Sequence, residues 1–149
     1  MFVKPKSLSL RKILILYYGG LQTAHALLLV VAGWRYWSTG IIGFPAPAAR
    51  SWSPDAIAFL LATGILDFLM TPLAGILVWM TWRRHPRERA VETVALTGSL
   101  YSAGLFFLGT FPSGAWVAHP GSYGVLTFLF LPVILLAVLE LKGDWNHEF

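Results

Sequence analysis

One carboxylate and one imidazole lie within long apolar segments, where an ionisable side chain is costly. Asp67 sits inside an apolar run from Ala56 to Trp82, and His25 lies in an earlier run that begins near Ile13. Ionisable groups inside a membrane span usually pair with another polar group or take part in function. Carboxyl and imidazole groups can both transfer protons, so these two residues are candidates for acid–base chemistry or for the polar lining of a pocket.

Further polar side chains recur at helical spacing around these two. Spacings of three or four residues place each set on one face of its helix. The sets are Tyr18, Gln22 and His25 in the first helix, Thr63, Asp67 and Thr71 in the second, and Thr93, Thr97 and Tyr101 in the third, with Glu92, Ser99 and Ser102 nearby. At about 1.5 Å per residue, His25, Asp67 and Tyr101 fall near one depth. We therefore expect a central pocket, with substrate contacts from Tyr101, Gln22, Tyr18, Thr63, Thr71 and Ser99.

Plainer explanations exist for most of these residues. Ser and Thr in membrane helices often bond to their own backbone carbonyls. His25 can be a packing residue, and Asp67 can form a structural pair with His25 or with a Thr. Glu92 lies among arginines, which favours an ion pair. Close helix contacts are the simplest explanation for the glycines at four positions, Gly19, Gly20, Gly98 and Gly104.

The composition indicates an integral membrane protein. The 149 residues are 56% hydrophobic and only 12% charged, with a mean hydropathy of +0.66, whereas soluble domains carry about 25% charged residues. The absence of cysteine excludes disulfides and thiolate chemistry. The histidines are scattered, so we expect no metal and no other cofactor. The net charge of +4 comes from basic residues beside the apolar runs, a topology signal that does not indicate nucleic-acid binding.

The pattern predicts a single all-α domain, a bundle of four membrane-spanning helices. We place them at about residues 13–36, 56–82, 90–111 and 123–141, each near the ~20 residues that cross a bilayer. Ser53-Pro54-Asp55 has the sequence of a helix start. Pro72 predicts a kink, and Pro112-Ser113-Gly114 a break.

Positive charges predict the orientation. Four Lys or Arg residues precede or open the first helix, four lie between the second and third, and none lies between the third and fourth. Both termini should therefore be cytosolic. The protein would reside in the endoplasmic reticulum of a eukaryote or the plasma membrane of a prokaryote. Interfacial belts are predicted from Trp34, Trp37 and Trp52 on the far side and from Trp79, Trp82 and Trp145 on the cytosolic side.

Several short motifs, in their order and spacing, resemble the emopamil-binding protein family. They are Thr71-Pro72-Leu73, Trp82-Arg83-Arg84-His85-Pro86-Arg87, Thr97-Gly98-Ser99-Leu100-Tyr101-Ser102, Leu105-Phe106-Phe107-Leu108 and His119-Pro120. The resemblance covers nearly the whole chain and implies the four-helix EXPERA domain. That family contains sterol Δ8–Δ7 isomerases and also non-catalytic sterol or lipid binders.

The resemblance carries over only part of the isomerase site. His25 and Tyr101 match family positions, whereas the family's carboxylates are replaced by Leu29 and Thr63. Ser99 stands where the isomerases have Gln, and their last-helix Asn falls near Leu131. Asp67 lies one turn from Thr63 on the same face. The resemblance therefore makes Asp67 a candidate replacement acid that acts on a different double bond, with His25 as its partner or base.

Three functions follow from these observations. The first is isomerisation or cyclisation of a hydrophobic sterol- or terpenoid-like substrate by protonation and deprotonation. The second is a non-catalytic sterol- or lipid-binding or chaperone protein of the same fold. The third is a small subunit of a larger membrane assembly, for which lipid-facing small residues would be the cue. A second copy of the chain, giving a homodimer, is a further partner that we keep open.

Overall fold

The protein is a bundle of helices in a computed structural model that describes residues 9–43, 46–47 and 52–142. The helices are α1 (Leu10–Thr39), α2 (Pro54–Arg83), α3 (Glu88–Thr110), α4 (Ala115–Ala118) and α5 (Pro120–Lys142), with a 3₁₀ turn at Phe111–Ser113. No strand occurs within those described ranges. Four of the helices are long and apolar enough to cross a membrane. The prediction of an all-α protein with four such helices is thus confirmed. Both termini and Trp145 lie outside the described residues.

Local sequence explains where α2 begins and where α3 ends. The Ser53 hydroxyl accepts a hydrogen bond from the Ala56 amide at 3.2 Å, and Pro54 occupies the first helical position. At the same end of the bundle, α3 stops before the Pro112 turn, and Gly114 adopts a φ of 74°. A side chain is strained at that φ, so glycine fits there. The predicted break is confirmed. The short helix α4 that follows it is not visible in the periodicity.

The apolar core joins the four long helices in one half of the bundle. Its buried members are Leu14, Ile15, Tyr18, Ala74, Leu77, Ala95, Leu96, Val133, Leu136 and Ala137. Many large apolar side chains point outward instead, including Trp34, Leu108 and Phe128, each more than 70% exposed in the isolated chain. A soluble monomer rarely exposes apolar surface on this scale. The outward side chains therefore fit a protein whose surroundings are lipid.

Two of the four predicted glycine contacts are present. A Cβ added at Gly19 would lie 2.5 Å from Val78 Cγ2, and one added at Gly98 would collide with the Met70 sulfur. These glycines let α1 and α3 approach α2 closely. Gly20 and Gly104 have nothing within 4 Å of an added Cβ, so the prediction of close contacts is wrong for those two.

A layer of charged side chains lies at the end of the bundle where α2 joins α3. Arg11 of α1 donates to Glu88 at 2.5 Å and also to Glu92, both on α3. Arg89 pairs with Glu140 of α5. Glu92 is completely buried, and the ion pair predicted for it is confirmed. The layer fixes α1 and α5 against α3 at one depth.

We expect Gly19→Ala to destabilise the bundle, because its Cβ meets the stiff Val78 side chain. Overpacking of this kind costs about 1–3 kcal/mol. Unfolding of the purified protein in detergent, followed by circular dichroism, measures the effect. The matched control is Gly20→Ala, which enters open space and should leave stability unchanged or slightly raised. Equal losses in both variants would contradict the Gly19 contact.

Glu92→Leu should lower the free energy of unfolding by roughly 3–5 kcal/mol, because Arg11 then keeps a buried charge with one partner fewer. The double variant Arg11→Met/Glu92→Leu should recover part of that loss in the same unfolding assay, since Glu88 then loses Arg11 but keeps its bond from Thr81. If the double variant is as unstable as the single one, the ion pair is not the cause.

Candidate functional site

Asp67 and His25 form the centre of a polar cluster between α1 and α2. His25 Nδ1 contacts the Asp67 carboxylate through Oδ2. The Asp67 side chain is 11% exposed and that of His25 is 34% exposed. The contact offsets the cost of placing the carboxylate inside an apolar bundle. The two residues named as the catalytic pair are therefore brought together, with the imidazole as the more accessible member.

Gln22 links this pair to α3. Its side-chain nitrogen donates to Ser99 Oγ at 2.8 Å and, over a longer distance of 3.4 Å, to Asp67 Oδ1. Gln22 is 4% exposed, and its Oε1 has no hydrogen-bond partner among the described residues. Because Gln22 precedes His25 by one turn, both side chains reach the same carboxylate from α1.

Tyr18 ends the cluster on the side of the apolar core. Its hydroxyl donates to the Ala95 carbonyl at 3.1 Å and lies 2.8 Å from Ser99 Oγ. Tyr18 has one proton to donate, so Ser99 donates to Tyr18 and accepts from Gln22. The hydrogen bonds thus run in one direction, from Gln22 through Ser99 and Tyr18 to the α3 backbone.

The threonines on α2 lie beside the cluster but mainly bond to backbone. Thr71 Oγ1 donates to the Gln22 carbonyl at 3.4 Å. Thr63 donates to the Phe59 carbonyl of its own helix at 2.9 Å, as Thr in helices commonly does. Ser102 of α3 donates to the Thr63 carbonyl at 3.3 Å. Thr71 and Ser102 thus join neighbouring helices beside Asp67, and each of the three hydroxyls is bonded to a backbone carbonyl.

Tyr101 lies away from the cluster. It is 64% exposed, and Thr93 and Thr97 are exposed with it. The face of α3 that turns inward carries Glu92, Ser99 and Ser102 instead. Helix α3 is thus rotated relative to the predicted polar stripe, because Arg11 and Tyr18 of α1 bind residues of the other stripe. The expected meeting of Asp67, His25 and Tyr101 in one closed pocket does not occur.

Two hollows lie elsewhere in the bundle. A cavity of about 90 Å³ sits between the start of α2 and the end of α3, against Phe59, Phe106 and Thr110. An open groove of about 490 Å³ runs along α1 and α2, past Gly20, Ala24 and Gly75. Both are mostly apolar. Among the described residues, no three His, Asp or Glu side chains come close enough to hold a metal ion.

No protein-family model, curated protein or solved structure matches this chain. The candidate site therefore stands on the geometry of the cluster itself. That geometry gives one carboxylate, one partly accessible imidazole and a set of oriented hydrogen bonds, a combination that can hold and transfer a proton.

Tyr18→Phe should destabilise the protein by about 0.5–1.5 kcal/mol, the usual net value of a lost hydrogen bond, because Ser99 then loses its acceptor. The matched control is Tyr101→Phe, which removes the same atom from an exposed ring and should change nothing. Unfolding in detergent compares the two variants. A larger loss for Tyr101→Phe would contradict the rotation of α3 described above.

Proposed function

We propose that the protein is an integral membrane enzyme that isomerises a carbon–carbon double bond in a hydrophobic polycyclic or isoprenoid substrate by proton transfer. One observation carries the proposal: His25 and Asp67 form a bonded pair inside an apolar bundle, with the imidazole partly accessible. A pair of this kind provides a proton donor and acceptor at the place where a lipid-soluble molecule resides.

The two members of the pair take different roles. The imidazole is about three times as exposed as the carboxylate, so His25 is the residue that contacts the substrate. Its Nδ1 faces Asp67, which leaves Nε2 as the nitrogen available to another molecule. Asp67 orients the ring and balances its positive charge. This reverses the roles expected from the sequence, where Asp67 is the acid and His25 its partner.

Isomerisation by this pair conserves atoms and charge. The Nε2 proton adds to one carbon of the double bond, and a positive charge develops on the other carbon. A neighbouring carbon then loses a proton to Nε2, and the electrons of that C–H bond form the new double bond. The pair ends as it began. Cyclisation of a flexible substrate would also need a large enclosing cavity, and Asp67 is instead packed directly between helices.

The emopamil-binding resemblance supports the same proposal. It implies an EXPERA fold, and the structure has four candidate membrane helices. His25 is the matched family residue that lies in the cluster, whereas the other match, Tyr101, is exposed. We further propose that the charged layer and both termini face the cytosol, as the basic residues predict, in the endoplasmic reticulum or the plasma membrane according to the host.

A non-catalytic lipid-binding or chaperone protein of this fold is the second candidate. The open groove along α1 and α2 favours it, because Gly20 and Gly75 have nothing within 4 Å of an added Cβ. Such a surface can accept a lipid chain or ring without any role for His25 or Asp67.

The decisive experiment offers sterol and isoprenoid olefins to the purified protein in lipid nanodiscs and follows the position of the double bond by mass spectrometry. His25→Gln and Asp67→Asn should each lower the rate by about 10²-fold or more, as for loss of a general acid–base group. Incorporation of deuterium from D₂O into the product should accompany turnover.

The control is Tyr101→Phe, whose exposed hydroxyl lies away from the cluster and which should retain the full rate. Tight binding of the lipid without turnover, unchanged in Asp67→Asn, would overturn the enzyme in favour of the binding protein. Turnover that survives in both His25→Gln and Asp67→Asn would show that the chemistry occurs elsewhere.

A further inference from the structure

Gln22 is a buried polar side chain beside the His25–Asp67 pair, and proton transfer between substrate and pair does not by itself require it. Its amide nitrogen contacts Asp67 Oδ1 and Ser99 Oγ. We propose that Gln22 is the positioning residue of the pair: by donating to Oδ1, it confines proton exchange to the contact between Asp67 Oδ2 and His25 Nδ1. The value of this role for catalysis rests on the proposed function, whereas the hydrogen bonding itself can be tested without a substrate.

The orientation of the Gln22 amide is determined by its neighbours. In the reverse orientation Oε1 would face the Asp67 carboxylate, and two acceptors would then repel each other. The two N–H groups would move to the place where Oε1 has no partner. Burying two donors without acceptors costs more than burying one unpaired acceptor. Gln22 therefore presents N–H groups to Asp67 and Ser99.

This orientation restricts where a proton can reside on Asp67. Oδ1 accepts an N–H from Gln22 at 3.4 Å, and adding a proton to Oδ1 would weaken that bond. A proton on the carboxyl group is therefore favoured on Oδ2, which contacts His25 Nδ1. The proton moves between these two atoms, and Nε2 of the same ring exchanges with the substrate. Gln22 thus directs both proton transfers through the imidazole, one at Nδ1 and the other at Nε2.

Gln22 is itself anchored on α3. Ser99 accepts its second N–H, Tyr18 accepts from Ser99, and the Ala95 carbonyl accepts from Tyr18. A shift of α3 would therefore reach Asp67 through this series of hydrogen bonds. Tyr18 is the other titratable member of the cluster.

Several ionisable groups of the neighbouring helices bond to other partners. On α5, Tyr123 donates to the Pro47 carbonyl and Glu140 pairs with Arg89. On α3, Glu92 pairs with Arg11 in the charged layer. Within the described part of the chain, these hydrogen bonds therefore leave Gln22 as the donor that acts on the pair.

The test is nitrogen NMR of histidine-labelled protein in lipid nanodiscs without added substrate, with the His25 signals assigned from His25→Gln. In the wild type, one form with a proton shared between Nδ1 and the carboxylate should dominate. Gln22→Met has a similar length and no donor, so Asp67 can turn and offer either oxygen. We expect a second His25 form, without that shared proton, to become roughly tenfold more abundant relative to the main form. A change of this size is in keeping with the loss of a hydrogen bond to a charged group.

Thr71→Val is the matched control, since the hydroxyl it removes bonds to the Gln22 backbone carbonyl and to neither member of the pair, and it should leave the His25 signals unchanged. Identical His25 signals in wild type and folded Gln22→Met would overturn the proposal. If Gln22→Met does not fold, Gln22→Glu replaces the donor by a competing acid, and unchanged His25 signals there would overturn it equally. Lack of turnover in the wild type would count against the enzyme alone, since these spectra need no substrate.

Discussion

The contact between His25 and Asp67 determines how α1 lies against α2. A carboxylate inside an apolar bundle needs partners, since water is scarce there. His25 and Gln22 provide them from one face of α1. The approach that this requires is possible because Gly19 has no side chain to hold Val78 away. One pairing requirement therefore sets the spacing of two helices, and Ser99 extends the same requirement to α3.

The bundle contains two polar layers at different depths, the charged layer and the cluster around Asp67, and they have different compositions. The charged layer joins Arg11 to two carboxylates and Arg89 to a third, so its charges are largely balanced within the protein. The cluster around Asp67 contains one acid and one base, and its remaining groups are neutral. The first layer fixes the ends of the helices where α2 joins α3. The second pairs one carboxylate with one imidazole, and that imidazole is a third exposed.

The sequence predicts the helices well because the signals for them are local. These signals are the length of each apolar run and the Pro, Gly and Ser residues at the helix ends. It also predicts that Asp67, His25, Gln22 and Tyr18 share two helix faces, because 3.6-residue periodicity places them there. It fails for α3, where Thr97 and Ser99 lie on two polar stripes of equal periodicity. The choice between them depends on contacts made by α1, more than 70 residues away in the chain. Glu92 could have indicated which stripe faces inward. If Glu92 forms a buried ion pair, Ser99 also faces inward, because it lies seven residues, or two helical turns, further along α3.

The cluster is more elaborate than packing requires. Replacing a buried ion pair by well-fitting apolar side chains is often neutral or stabilising, so stability alone is a weak reason to keep Asp67 and His25 between these helices. The charged layer shows the enclosed arrangement, since Glu92 is completely buried there. His25 is instead left a third exposed, while its carboxylate partner is held by Gln22. An accessible imidazole on a fixed, buried carboxylate is the arrangement expected of a group that exchanges protons with a molecule from the membrane.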